Sequence, residues 1–193
     1  MNKREKNKQD TRQKILEAAK IEFVTNGFLN TKTIDVAKRA GVAHGTLFFH
    51  FDSKDKLIIE IIEKELFGIT GDLYNILNKA NGFEELLRSY LDFLEEEENL
   101  FSVIARELPF YSTELRRQIF FRESAVRNYF YQLIEDEINK GIFKSIDITY
   151  ILDVLFGSIN YYLSLNDVFG YKNTIIKEKK DKIIKNILML LKK

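Results

Sequence analysis

The sequence predicts an all-α fold of about nine helices. The 193 residues include one proline and few strand-like alternations, apolar residues recur at helical spacing, and glycines or capping residues separate the periodic segments. Hydrophobic residues make up 45% of the chain and charged residues 31%, as in ordinary globular proteins. A chain of this length can bury a sizeable core and form one or two domains.

The first helix is expected over residues 10–26, after a polar, mobile arm over residues 1–9. Gly27 follows the last periodic residue and should end this helix. Residues 33–51 then read as two short helices around a turn, in which Gly41 can take the left-handed conformation that ends the first of the two. Val42 and Leu47 would pack the two helices together. The predicted buried residues of residues 10–40 are Ile15, Ala19, Phe23, Ile34, Val36, Ala37 and Ala40.

Six further helices are expected in the remainder of the chain. The fourth runs from a cap at Ser53 to about Ala80, with Gly68 and Gly71 as weak points within it. Its predicted buried side is Leu57, Ile58, Ile61, Ile62, Phe67 and Ile69. Phe83, Leu86, Leu87, Tyr90, Leu91 and Leu94 should face inward on the fifth. The predicted caps are Asn99 for the sixth helix, Ser112 or Thr113 for the seventh, Asp147 for the eighth, and Asn173 or Thr174 for the ninth.

Several function classes are disfavoured by composition. The chain contains no cysteine, which excludes disulfides and thiolate metal sites. His44 and His50 are the two histidines, and six helical residues place their rings about 240° apart, so neither a metal ion nor a cofactor is expected. The remainder of the chain therefore lacks the usual nucleophile and general-base sets of an enzyme. The first residues form no apolar signal segment and no run approaches the roughly 18 residues of a membrane span, which predicts a cytoplasmic protein without membrane contact.

Charge divides the chain into two parts. Residues 1–56, called the head below, carry 12 basic and 7 acidic side chains, a net charge of +5. Residues 57–193, called the body, carry 18 basic and 22 acidic side chains, a net charge of −4. A basic head on an acidic body indicates a polyanion-binding domain joined to a domain with another task, although chance variation of surface charge gives the same pattern.

Residues 33–51 have the form of a helix-turn-helix DNA reader, with a plain helical hairpin as the alternative. Residues 11–57 resemble the DNA-binding domain of the TetR family of bacterial repressors. The resemblance rests on the segments TRQKILEAA, NGF, TIDVAKRAGVAHGTLFFHF and FDSKDKL, in this order and with short gaps. Beyond Leu57 it is a resemblance of helix layout only. It implies a three-helix DNA-binding head followed by a larger helical ligand-binding and dimerisation body.

The predicted DNA-binding residues are Thr33, His44, Gly45, Thr46, Phe48, Phe49, His50 and Lys54. His44 and Thr46 can hydrogen-bond base edges or phosphates, and Gly45 allows the backbone to approach the groove. Thr33 can cap the second helix and present backbone N–H groups to a phosphate. The resemblance adds phosphate contacts by His50 and Lys54. It also places an aromatic pair at residues 48 and 49, where Phe48 replaces the tyrosine common in the family and retains only apolar contact.

Aromatic residues are concentrated in the body, which contains all 9 tyrosines and 11 of the 16 phenylalanines. They form either a bulky core or, as a set, the lining of an apolar cavity between the fourth and eighth helices, where the resembled family binds its inducers. The predicted ligand-binding residues are Phe67, Tyr74, Tyr90, Phe93, Phe110, Phe120, Ser124, Asn128 and Asn160. Residues 106–116 resemble family members that sense fatty acyl thioesters. An elongated lipophilic ligand would suit the aromatic lining, and a cationic drug would suit the net negative charge of the body.

The eighth and ninth helices carry apolar residues over most of their circumference, and Gly157-Ser158 would allow close helix approach. Two such pairs would form a four-helix dimer interface, as in the resembled family. The sequence therefore predicts a homodimeric regulator, expected to be a repressor, that binds a palindromic operator in double-stranded DNA and is released by a small lipophilic effector. The alternative is a constitutive DNA-binding regulator or architectural protein without an effector.

Overall fold

The computed structural model describes residues 3–67, 79–169 and 174–193, with the side chains of residues 65–67 and 169 excepted. Its elements are α1 (Lys3–Asn26), α2 (Thr33–Ala40), α3 (His44–His50), α4 (Lys54–Phe67), α5 (Phe83–Glu96), α6 (Glu98–Glu107), a 3₁₀ helix (Leu108–Phe110), α7 (Thr113–Asn139), α8 (Ile148–Ser164), α9 (Asn166–Phe169) and α10 (Ile175–Leu191). The all-α prediction is therefore confirmed. Across the described ranges, every helix is too short or too polar to cross a bilayer.

The head is built from α1, α2, α3 and the start of α4. The expected mobile arm is wrong, because α1 is helical from Lys3, in a segment of good helix formers without glycine or proline. Ile15, Ala19 and Phe23 are fully buried, as predicted. Ile34, in contrast, is 55% exposed, since it lies two residues, or about 200° of helical rotation, before the buried Val36.

Most helix ends follow the predicted caps. The side chains that accept a hydrogen bond from a backbone N–H of the first turn are Ser53, Ser112, Asp147 and Thr174. Two predicted caps are wrong: Lys32 precedes α2 in place of Thr33, and Glu97 precedes α6 in place of Asn99. Gly27 and Gly41 have φ values of 80° and 67°, so each adopts the left-handed conformation that ends its helix.

In the body, α6 packs against α8, and α5 packs against α10 and α7. The six residues predicted to face inward on α5 are all buried, and so are the first four predicted on α4. The predictions for the side chain of Phe67 and for Gly68, Ile69, Gly71 and Tyr74 lie outside the described residues. The predicted ninth helix is the tenth, because the single-turn α9 precedes it.

Glu98 joins two helices of the body. The acidic run at 95–98 reads from sequence as a solvated face, but Glu98 is only 3% exposed. Its carboxylate accepts hydrogen bonds from the backbone N–H groups of Ile175 and Ile176, each at 2.8 Å. A carboxylate at this position accepts hydrogen bonds from two N–H groups that have no partner within α10. Its negative charge is also stabilised by the positive end of the dipole of α10.

Most apolar residues of α8 and α10 are buried within the single subunit. Ile187, an apolar residue of the helix that was predicted as the ninth, is 3% exposed in the single subunit, so it belongs to the core of the body and not to a free surface. The two helices are adjacent, and what they leave outside is a smaller set: Tyr150, Gly157, Tyr161, Met189 and Leu190.

Candidate DNA-binding surface and ligand cavity

The second helix of the helix-turn-helix, α3, is held by two apolar anchors. Leu47 and Phe51 are buried in the head. The turn before α3 is fixed by a hydrogen bond of 3.0 Å from the N–H of Val42 to the carbonyl of Ala37. Most of the remaining side chains of the seven-residue helix are exposed, in the orientation that a recognition helix requires.

The predicted base-reading residues form the open side of α3. His44 and Gly45 are exposed and Thr46 is half-buried. His44 Nε2 lies 2.9 Å from Thr33 Oγ1, so the starts of α2 and α3 are tied together. A Cβ at Gly45 would meet no heavy atom within 4 Å. The space beside Gly45 is therefore open to a groove and is not required for packing of the chain itself.

The aromatic pair differs in exposure. Phe49 is 73% exposed, whereas Phe48 packs edge-to-face on His44 at 4.9 Å between ring centroids. His50 Nδ1 is buried, and no residue in the described ranges offers it a hydrogen bond. Burial of the ring, then the positive charges of Arg12 and Lys8, lower the pKa of His50. In the free chain at neutral pH its imidazole is therefore uncharged.

Lys54 holds the segment between α1 and α2. Its ammonium donates to the carbonyl oxygens of Phe28, Leu29 and Thr31 at 2.8, 3.2 and 3.1 Å, and it lies 4.5 Å from the centroid of the Phe28 ring. Burial lowers the pKa of Lys54. In this structure the residue is a support for the head, and its predicted contact with a phosphate remains a prediction.

Glu107, at the end of α6, joins the body to the same segment of the head. Its Oε2 accepts a hydrogen bond of 2.9 Å from the N–H of Leu29 and a longer one of 3.5 Å from the Tyr111 hydroxyl. Burial and the Glu107 carboxylate raise the pKa of Tyr111, which keeps this hydroxyl protonated as a donor. A Cβ at Gly27 would lie only 2.2 Å from Glu107 Oε1, so a glycine is needed at this contact. No local sequence pattern marks the contact between Glu107 and Leu29, because the two residues are 78 positions apart.

An apolar cavity of about 70 Å³ lies in the body among α4, α5, α6, α7 and α8. The described residues that line it are Ile62, Tyr90, Leu94, Phe101, Ile104, Ala105, Leu108, Ile119, Glu123, Val126, Phe156, Ile159, Asn160 and Leu163. Most are aliphatic or aromatic, and the few polar groups are spaced around an apolar wall. Such an arrangement is typical of a site for a lipophilic ligand.

The predicted ligand-binding residues are only partly gathered here. Tyr90 and Asn160 line the cavity, and Phe93 is buried against Phe101, which also lines it. Phe110 and Phe120 are exposed, which corrects their expected inward placement. Ser124 and Asn128 are likewise on the exposed side of α7. Ile119 is the residue of this turn of α7 that faces the cavity. Around the helix axis, Phe120, Ser124 and Asn128 lie about 100° or more from Ile119, which explains their exposure.

Among the described residues that line the cavity, Glu123 is the charged one, and it was not predicted from sequence. Its Oε1 accepts a hydrogen bond of 3.0 Å from Arg127 Nε, and Arg127 also binds Asp153 at 2.7 Å. The guanidinium lies 4.8 Å from the centroid of the Phe156 ring. The only local signal is the four-residue spacing of Glu123 and Arg127, which is common on helix surfaces.

Comparison with known proteins agrees with both parts of the structure. Residues 15–61 match the model of the bacterial regulatory proteins of the tetR family. The fatty acid metabolism regulator protein of Bacillus subtilis (strain 168) is 26% identical over 160 residues, covering 80% of this chain and 82% of that protein. The transcriptional repressor KstR2 of Mycolicibacterium smegmatis is 25% identical over 165 residues, covering 78% of each chain.

A solved structure shares the fold along most of the chain. The crystal structure of the transcriptional regulator FadR from Bacillus subtilis, in complex with stearoyl-CoA, superposes with a TM-score of 0.79 at 20% identity and covers 92% of this chain and 98% of that one. The match of the family model falls on the helix-turn-helix, and the matches with whole regulators extend through the body. The chain therefore belongs to the TetR family of bacterial transcriptional regulators.

Proposed function

We propose that this chain is a ligand-responsive repressor: a homodimer that binds a palindromic operator through residues 1–56 and is released when a lipophilic effector binds residues 57–193. The observation that carries the proposal is the physical path from the cavity to the head. Ile104, Ala105 and Leu108 line the cavity, and Glu107, between them in sequence, holds the N–H of Leu29. The wall of the cavity and the α1–α2 segment of the head therefore meet at the end of α6.

DNA binding would use the open side of α3. His44, Gly45 and Thr46 are the first residues of α3, and the N-terminal residues of a recognition helix are those that contact base edges in the major groove. We expect Thr46→Ala and His44→Ala to reduce discrimination between operator sequences by about 1–3 kcal/mol for each lost base contact. Selection from random duplexes should return a palindrome, with the two half-sites one helical turn or a multiple apart. Recovery of no palindromic motif would count against the proposal.

Dimerisation would use the outward faces of α8 and α10. Gly157 is exposed, and a Cβ there would meet no heavy atom of its own chain within 4 Å. Gly157→Glu should leave the single subunit folded but place a charge in the seam between two copies, at a cost of several kcal/mol. Sedimentation should then show monomers that no longer bind the operator. Gln132→Glu, on an exposed part of α7, is the control, and a wild type that is monomeric at micromolar concentration would contradict the dimer.

The effector is proposed to be a long-chain acyl thioester, as in the stearoyl-CoA complex of the Bacillus subtilis regulator. The cavity of about 70 Å³ is far smaller than the roughly 300–1,000 Å³ of ordinary ligand sites. An acyl chain must therefore displace side chains or separate helices as it enters. Such a ligand favours the displaced conformation, which is the differential affinity that a switch needs.

Coupling would pass through the end of α6. Displacement of Ile104 or Leu108 by the effector also moves Glu107 and, with it, Leu29 and the head. A 100-fold loss of DNA affinity requires about 2.7 kcal/mol of differential effector binding, and DNA must weaken effector binding by the same factor. Glu107→Ala removes a charge-assisted hydrogen bond of about 1.5–3 kcal/mol. We expect this variant to bind the effector, but the factor by which the effector weakens DNA binding should fall by about tenfold or more.

The central experiment measures DNA release and melting temperature with stearoyl-CoA, with free coenzyme A as the ligand control. The wild type should be stabilised and should release the operator. Ala105→Leu, which fills the cavity from its α6 wall, should bind DNA but not respond, whereas Ala125→Leu on the exposed side of α7 should respond normally. If neither stearoyl-CoA nor a panel of other lipophiles shifts melting or releases DNA, the constitutive regulator is the better account.

A further inference from the structure

The first two turns of α1, residues 3–10, form an exposed and mostly basic extension of the head. They carry Lys3, Arg4, Lys6 and Lys8 against two acidic residues, Glu5 and Asp10, and all eight positions are exposed. Because the segment is helical and not an arm, these charges have fixed directions. With a rise of 1.5 Å for each residue, residues 3–8 extend about 7.5 Å along the helix axis.

This extension begins beside the end of the recognition helix α3. The ammonium of Lys8 lies 5.4 Å from the centroid of the exposed Phe49 ring. One turn farther along α1, Arg12 donates to the carbonyl of His50 at 2.8 Å and forms an ion pair with Glu60. Arg12 therefore fixes α1 against the end of α3, and Lys8 continues the same surface outward.

The charge of this surface is positive where it adjoins α3. After burial, the next causes that lower the pKa of His50 are Arg12 and Lys8, as expected for a ring in a field of cations. Arg4 lies four residues before Lys8 and therefore on the same face of α1. The cation–π contact of Lys8 with Phe49 is solvent-exposed and worth only about 0.5–1 kcal/mol, so Lys8 can exchange it for an anion at little cost.

We propose that residues 3–10 are a second DNA-contact element, in which Lys8 and Arg4 bind phosphates of the duplex beside the groove that α3 enters. The inference rests on the proposed function. Two observations select the phosphate backbone of DNA as the partner: the surface is continuous with α3, and its charge is complementary to a polyanion. This contact adds affinity without sequence information, because phosphates are the same at every base pair.

The test is the salt dependence of operator binding by Lys8→Gln. Each lost phosphate contact should lower the slope of log affinity against log salt by about 0.9, or about 1.8 for a dimer. The advantage of the wild type over the variant should then shrink about 12-fold between 50 and 200 mM salt. Trimming the duplex on both sides of the palindrome should weaken the wild type but change Lys8→Gln much less.

Lys14→Gln is the matched control, because Lys14 is exposed on the same helix but about 120° around from Lys8. It should leave the slope and the response to trimming unchanged. An unchanged slope for Lys8→Gln, or equal losses for Lys8→Gln and Lys14→Gln, would overturn the inference while leaving operator binding intact. A wild type without sequence-specific binding at any salt concentration would overturn the proposed function and the inference with it.

Discussion

Two phenylalanines show how differently the head and the body use the same side chain. Phe130 in the body is fully buried and its ring lies edge-to-face with Phe83, Tyr90 and Phe156 at 5.4–6.0 Å between centroids. Phe49 in the head is among the most exposed large apolar side chains of the described chain. Burial of an aromatic ring stabilises a fold, whereas an exposed ring such as that of Phe49 adds little to stability and leaves its surface accessible.

The same contrast extends to the polar groups. In the head, the side chains on the open side of α3 contact each other lightly and face solvent. In the body, Glu98 and Glu107 are buried and bind backbone N–H groups. The head has buried polar residues of its own, Glu22 and Thr31, but it directs most of the side chains of α3 to solvent, where DNA can reach them. The buried carboxylates of the body instead hold separate segments of the chain together. The comparison predicts separate losses of stability and of binding.

The largest expected effect is on the body. Phe130→Ala should lower the free energy of unfolding by about 3–5 kcal/mol, because it removes a fully packed ring. The melting temperature of a chain of this size should fall by roughly 10 °C. Phe49→Ala should change stability by less than about 0.5 kcal/mol but weaken operator binding. Thermal denaturation and DNA titration of both variants check this, and a strongly destabilised Phe49→Ala would break the comparison.

A second effect of similar kind should come from Glu98. Glu98→Ala leaves the N–H groups of Ile175 and Ile176 buried and without their acceptor, which should cost about 2–4 kcal/mol. Glu95→Ala is the control, because Glu95 is half-buried and its pairing with Lys177 is long at 3.9 Å. Urea denaturation should separate the two variants. Equal stability of both would show that Glu98 is not a structural cap.

The head was predictable from sequence because its determinants are local. The turn is closed by the hydrogen bond from the Val42 N–H to the Ala37 carbonyl, and both Gly41 and Leu47 behave as predicted. The predicted burial of Ile34 was wrong, because an apolar residue at the edge of a short helix is buried only where another element packs against it. The caps Ser53 and Asp147 were predicted correctly for the same local reason, since a cap binds its own first turn.

The body was predictable as a set of helices but not as a site. The side of α7 that faces the cavity is chosen by α4 and α8, so sequence could not distinguish the exposed Phe120 from Ile119, its cavity-lining neighbour. Glu98 and Glu107 bind partners 77 and 78 residues away. No local pattern marks such contacts, and a run of glutamates reads as a solvated face until the fold brings another helix to it.

A third prediction concerns the contact between the two regions. Gly27→Ala places a Cβ in a left-handed backbone conformation and within 2.2 Å of Glu107 Oε1, which should cost about 1–3 kcal/mol. In Gly27→Ala/Glu107→Ala the steric part should disappear and only the backbone cost remain. A double-mutant cycle on the melting data measures this coupling. Strictly additive losses would mean that the head and the body are not held together at this point.

The smallest expected effect is a pH dependence that originates in the head. Because its pKa is lowered in the folded chain, His50 binds fewer protons there than when unfolded. Its contribution therefore lowers stability as the pH falls through about 6.5, the ordinary histidine value. A phosphate beside the ring would favour the protonated form, so operator binding should take up a proton and strengthen over the same range. His50→Gln should flatten both profiles. Operator affinity of the wild type that is constant from pH 8 to pH 6 would remove His50 from the DNA contact and leave it a supporting residue of the head.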